Sequence, residues 1–189
     1  MDKNLKLNNH NLYLALVYFF WAISILFYFF FNEYIKAGNL EEGVKLGNDS
    51  RFYLSESKNI LNGLSSLLDY KSKFGYLLFL MPFLYFELPL IYVVLLQFLL
   101  TAIGSYCLYK ITTKYFGEKS AIICLSLFLF YFPIQIRNFY ILTEIIFIDL
   151  SLILTFFIVF YKKKFIPIIL LLLTFLISIR PNGILFLFS

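Results

Sequence analysis

Histidine occurs once, at His10 in a polar N-terminal stretch, and cysteine twice, at Cys107 and Cys124 inside apolar runs. One imidazole builds neither an H-E-x-x-H zinc helix nor a Ser-His-Asp triad, and no Cys/His spacing suits a zinc ion. Hydrolases of those kinds are excluded. Thiols within apolar runs read as packing residues, not as a disulfide or a metal pair. Charge is scarce too: Asp, Glu, Lys and Arg make up 14% of the chain, against about 25% in an ordinary soluble domain. The net charge of +5 comes from short clusters beside apolar runs, where lysines mark topology, so no nucleic-acid partner is expected.

What the chain has in abundance is hydrocarbon. Hydrophobic residues make up 61% of it and aromatic ones 22%, against roughly 45–50% apolar residues in soluble domains. The expected fold class is therefore all-α, a polytopic transmembrane helical bundle. An uncharged run of 20 residues at 12–31 is long enough for a ~30 Å hydrocarbon core and is read as a retained first span, not as a cleaved signal peptide, whose apolar region is shorter.

The only long hydrophilic segment follows, at 32–73, with six acidic and six basic residues and so no inside-directing bias. Within it Tyr53, Ser57, Ile60, Leu61, Leu64, Leu67 and Leu68 recur at three- and four-residue spacing. This predicts an amphipathic helix lying on the membrane surface. The next apolar block is interrupted by Pro82, Glu87 and Pro89. Lys3 and Lys6, Lys110, Lys114 and Lys119, and Lys162 to Lys164 all face the cytoplasm only if residues 74–86 do not cross, so that stretch is read as re-entrant or interfacial. Further spans are expected at 88–109, 120–136, 142–161 and 165–179 in a multi-pass protein of the plasma or inner membrane, N-terminus inside. A last apolar run begins after Gly183 and ends at Ser189, too short to span, so the chain reads as the N-terminal part of a longer protein.

On that topology three separated segments reach the outer face together: Asp49 with Arg51, Arg137 with Glu144, and Arg180. Ionisable groups at membrane depth are costly and mark pathways or sites. Arginines hold phosphates by charge-assisted, often bidentate contacts, so Arg137 and Arg180 suit an anionic, lipid-borne ligand. Plainer readings stand beside these. Asp49 is also a good N-cap for the surface helix. Glu144 and Asp149 read equally as a structural carboxylate pair, Arg180 as a snorkelling residue at a span end, and Asn48-Asp49-Ser50 as a glycosylation sequon.

The order of these features resembles a known family. A first span, then an outer loop in which Asp49 precedes Tyr53 at the start of a helix, is similar to the GT-C superfamily of integral-membrane glycosyltransferases. Tyr115-Phe116-Gly117-Glu118-Lys119 between two spans, Leu142-Thr143-Glu144 opening another, and Ile179-Arg180-Pro181-Asn182-Gly183 extend the likeness over nearly the whole chain. Protein O-mannosyltransferases and the lipid A aminoarabinose transferase belong to this superfamily. The resemblance implies sugar transfer from a polyprenyl-phosphate donor to a lipid, glycan or protein acceptor. Asp49 would be the catalytic carboxylate, Glu144 an active-site acid, and Arg180 a lipid-phosphate contact, with Arg51, Tyr53 and Arg137 binding substrate. Ser50 stands where many relatives carry Glu, which leaves a divalent metal open. A transporter or lipid flippase and a non-catalytic membrane subunit are the alternatives from other classes.

Overall fold

The computed structural model describes residues 3–34, 40–41, 44–66 and 73–180. Among the described residues the chain is helical apart from one short ladder and the connecting turns. Helix α1 spans Lys3–Tyr34, strands β1 (Leu40–Glu41) and β2 (Val44–Lys45) pair antiparallel, and α2 covers Asn48–Leu61. Then come α3 (Phe74–Tyr85), α4 (Ile91–Phe130), α5 (Phe132–Arg137), α6 (Thr143–Val159) and α7 (Ile166–Ile179).

The apolar runs dictate most of these boundaries. Two stretches, Asn11–Phe30 within α1 and the whole of α4, are long and apolar enough to cross a membrane. The 12 residues of α3 amount to ~18 Å of helix, too short to span. The helix of the hydrophilic segment starts earlier than its apolar spacing suggests and stops earlier. It ends at Asn62 and Gly63, where φ turns to +71°, and Leu64 lies exposed beyond it. Leu67 and Leu68 fall outside the described residues, as do Pro181 to Ser189.

Helix α4 holds the two expected spans at 88–109 and 120–136, with different limits. Its first arm continues to Phe116, and the chain reverses at Gly117 alone (φ +81°, ψ 171°), a backbone conformation that costs glycine little. Gln97 reaches Asn138 and Tyr140 through hydrogen bonds of 2.8 and 2.9 Å, so the second arm folds back alongside the first. That second arm stops at Phe130, six residues before the expected end at 136. Tyr131 is extended and Pro133 opens α5, because proline fits the first turn of a helix and breaks the interior of one. Along the arm Ala121, Leu125 and Leu129 are fully buried at four-residue spacing, the stripe by which it packs.

Contacts set the direction of the remaining long helices. Tyr18 meets Ser105, Trp21 meets Phe98, and Tyr28 meets Phe139, so α1 runs opposite to the first arm of α4. Thr101 meets Asp149 and Lys114 meets Val159, so α6 runs parallel to that arm. Helix α7 returns, bringing Arg180 to Glu144. One end of the molecule therefore holds Gly117, Lys114, Lys119 and the Lys162-Lys163-Lys164 turn. The other, called the loop end below, holds the starts of α2, α3 and α6 and the finish of α7.

Apolar side chains fill the interior and also cover much of the surface. Phe19, Phe20, Phe27 and Phe30 on α1, Leu95 and Leu99 on α4, and Leu170 and Leu171 on α7 are exposed, while Gln97, Thr101, Asn138 and Asp149 are buried.

Candidate functional site

The site is built at the loop end. Helix α2 begins after Gly47, whose extended backbone makes it the N-cap, and the Gly47 N–H donates to Ser50 Oγ at 3.3 Å. Asp49 is therefore not the cap of this helix. It sits in the first turn with its side chain exposed, where the exposed N–H groups and dipole of the helix favour a negative charge. Tyr53, one turn on, is buried and packs edge-on against Tyr76 of α3 at 4.8 Å between ring centroids. The Lys73 ammonium lies 5.3 Å from the Tyr53 ring and 5.4 Å from that of Phe52.

Arg51 does not join Asp49. Residues two apart on a helix point about 200° away from each other, so the two leave α2 on opposite flanks. Arg51 lines a cavity between α2 and the α3–α4 turn instead.

Glu144 lies in the first turn of α6 and Arg180 caps the end of α7. The guanidinium donates to Glu144 Oε1 at 2.5 Å, joining the two helices. The pair keeps 37% and 25% of its side-chain exposure, so its worth to stability is small, and both groups remain accessible from the loop end. Arg137 ends α5 and is exposed. The segment linking α5 to α6 also carries Tyr140, and a Cβ built on Gly47 would lie 3.9 Å from its ring. The start of α2 thus lies beside the segment that leads into Glu144.

Helix α3 closes the gap between α2 and α7. At Gly75 it approaches α7 so closely that a Cβ would lie 2.0 Å from Ser178 Oγ. Next to it Tyr76 is fully buried, and its hydroxyl has no hydrogen-bond partner among the described residues. Burial pushes the Tyr76 phenol well above its ordinary pKa, with smaller contributions from Tyr53 and the Glu144 charge. It therefore stays a neutral donor. Tyr76 and Lys73 escaped the sequence reading because a tyrosine and a lysine bordering an apolar run carry no distinguishing spacing.

Asp149 does not pair with Glu144. It is 1% exposed, and its Oδ2 lies 2.7 Å from Thr101 Oγ1 in the seam between α4 and α6. Thr101 Oγ1 also lies 3.1 Å from both Asn138 Oδ1 and the Gln97 carbonyl. The orientations of the amides follow from Trp21. Its indole N–H donates to Gln135 Oε1, which also accepts from Asn138 Nδ2 and so turns Asn138 Oδ1 toward Thr101. One hydroxyl proton is thus offered three acceptors.

Among the described residues no three His, Cys, Asp or Glu side chains lie close enough together to hold a metal ion. No family model matches the chain, and no curated protein or solved structure proves similar to it.

Proposed function

We propose that the chain is a multi-pass membrane glycosyltransferase that moves a sugar from a polyprenyl-phosphate donor to an acceptor hydroxyl, working at the loop end on the outer face. The observation that carries the reading is the convergence, from distant parts of the sequence, of Asp49, Tyr53 with Tyr76, and the Glu144–Arg180 pair on one end of the helices. The lysines at the opposite end support a cytoplasmic N-terminus. The many large apolar side chains on the surface support a lipid environment, since exposed apolar area on this scale is rare on a monomer in water.

In the reaction Asp49 takes the proton of the acceptor hydroxyl as that oxygen bonds to the anomeric carbon. The bond from that carbon to the phosphate oxygen breaks, and the electron pair leaves with the polyprenyl phosphate. Arg180 stabilises the departing phosphate, with Arg137 at the same end. Glu144 orients Arg180 through their ion pair. Tyr53 and Tyr76 form the wall beneath Asp49, and Arg51 serves a separate cavity.

Asp49→Asn in the full-length protein tests this, with transfer of labelled sugar from a polyprenyl-phosphate donor as the measurement. The amide keeps shape and loses the base, so transfer should fall by about 10² to 10⁴. Unchanged transfer by folded variant would remove the catalytic role. A second reading, a transporter, draws on the buried Gln97, Thr101, Asn138 and Asp149 network between α4 and α6. Solute uptake into sealed vesicles that is lost in Thr101→Val and kept in Asp49→Asn would favour it.

A further inference from the structure

The hydroxyl of Tyr76 is buried and idle: among the described residues nothing hydrogen-bonds to it. A buried tyrosine ordinarily finds a partner, and a donor left without one costs stability that a phenylalanine in the same place would not. The ring is held firmly all the same. It packs edge-on against Tyr53 at 4.8 Å and stacks on Phe79 with centroids 5.8 Å apart and 19° between planes. Gly75 beside it presses on Ser178, two residues before Arg180, so the phenol is fixed in the corner where α2, α3 and α7 meet.

The same corner holds an acceptor that is poorly served. Arg180 takes Glu144 Oε1, whereas among the described residues Glu144 Oε2 has only Thr143 Oγ1 at 3.4 Å, long for a hydroxyl donor. The Glu144 charge helps to hold the Tyr76 phenol above its ordinary pKa, so the two groups lie within electrostatic reach of each other. Glu144 is open to water at the loop end, and an occupant that covers it removes that water. A carboxylate losing water needs another donor.

We propose that Tyr76 is a positioning residue for the Glu144–Arg180 pair: once a sugar donor covers the loop end, the Tyr76 hydroxyl donates to Glu144 Oε2. A carboxylate held at both oxygens keeps one orientation, and Arg180, paired to Oε1, keeps one with it. Tyr76 touches no reacting atom itself. The role rests on the sugar-transfer reading and adds to it a reason for an idle hydroxyl in the resting protein.

Tyr76→Phe in the full-length protein tests this by two measurements. The unfolding midpoint in detergent should not fall, since the substitution removes a donor that the resting protein does not use. The kcat/KM for a polyprenyl-phosphate sugar donor should fall about tenfold, the worth of one hydrogen bond to a charged group. In a Glu144→Ala background the same substitution should cost nothing further, because its acceptor is gone. A lower midpoint, transfer at the parent rate, or an equal loss in the Glu144→Ala background would each overturn the role. Asp49→Asn assayed alongside keeps the two readings apart. If it is slow while Tyr76→Phe matches the parent, only Tyr76 loses its role; if Asp49→Asn itself matches the parent, the sugar-transfer reading fails and this role goes with it.

Discussion

Asp149 and Asp49 are the same side chain under opposite conditions. Asp149 is 1% exposed and fixed by Thr101 in the α4–α6 seam, surrounded by Asn138 and Gln97, whose own orientations trace back to Trp21. Asp49 stands exposed in the first turn of a 14-residue helix, beside the helix N-terminus. A buried acceptor is expensive to leave without a donor, so the seam has little freedom to do chemistry and much to lose by substitution. An exposed carboxylate contributes little to stability and is open to a partner. Stability and reactivity should therefore separate between the two regions.

The sharpest break is at Thr101. Thr101→Val keeps the shape and removes the one hydroxyl proton offered to Asp149 Oδ2 and Asn138 Oδ1. That one proton serves one acceptor at a time, so its removal leaves one more buried acceptor without a donor, at about 1–3 kcal/mol, and unfolding in detergent should show a loss of about 2 kcal/mol. Asp149→Asn is the counterpart. Its amide supplies a donor to Thr101 and frees the hydroxyl for Asn138, so stability should stay within about 1 kcal/mol of the parent. If Asp149→Asn costs as much as Thr101→Val, the shortage of protons in the seam is not the governing feature.

Gly75 probes the boundary of the loop end. A valine there would meet Ser178 Oγ and its backbone at 2.0 and 2.9 Å, before any side-chain atom beyond Cβ is counted. Backbone on the other side cannot rotate away, so α3 must move off α7. Overpacking of this kind costs about 2 kcal/mol, measured again as unfolding in detergent. If the chain is a glycosyltransferase as proposed, sugar transfer should fall as well because Tyr76 moves with α3, whereas Thr101→Val should leave it intact in whatever protein remains folded.

How much of this could be read from residue order depends on whether the relevant contact is local. The limits of α6 and α7 lie within a few residues of the apolar runs at 142–161 and 165–179, because hydrophobic length alone sets them. The reversal at Gly117 falls inside the Tyr115 to Lys119 motif for a local reason too, a glycine among charges. The end of the second α4 arm was hidden, since Tyr131, Phe132 and Ile134 prolong the apolar run through the break that Pro133 makes. Asp49 and Arg51 reach the same end of the molecule, as expected, and the helical period alone sets them about 200° apart around α2. The seam is not legible in this way: Gln97 meets Asn138 and Thr101 meets Asp149 across separations of 41 and 48 residues, and nothing in either segment names its partner. The same holds for Glu144 with Arg180, which were expected in one compartment but not in contact.

Glu144→Gln should have the smallest effect on stability and divides two readings of that contact. With side-chain exposures of 37% and 25% the ion pair is screened, and its loss should cost less than about 1 kcal/mol. The glutamine still accepts a hydrogen bond from Arg180 but no longer fixes it by charge. If Glu144 orients Arg180 toward a departing phosphate, the rate constant for transfer should fall by about tenfold, since small losses of alignment are costly at a reacting centre. The donor KM should change little, because the cation itself remains. A strut between α6 and α7 behaves differently: the variant would then transfer sugar at the parent rate, and Arg180→Gln would do the same. Arg180→Gln under the oriented-cation reading loses the charge that meets the phosphate, so it must be the slower of the two variants.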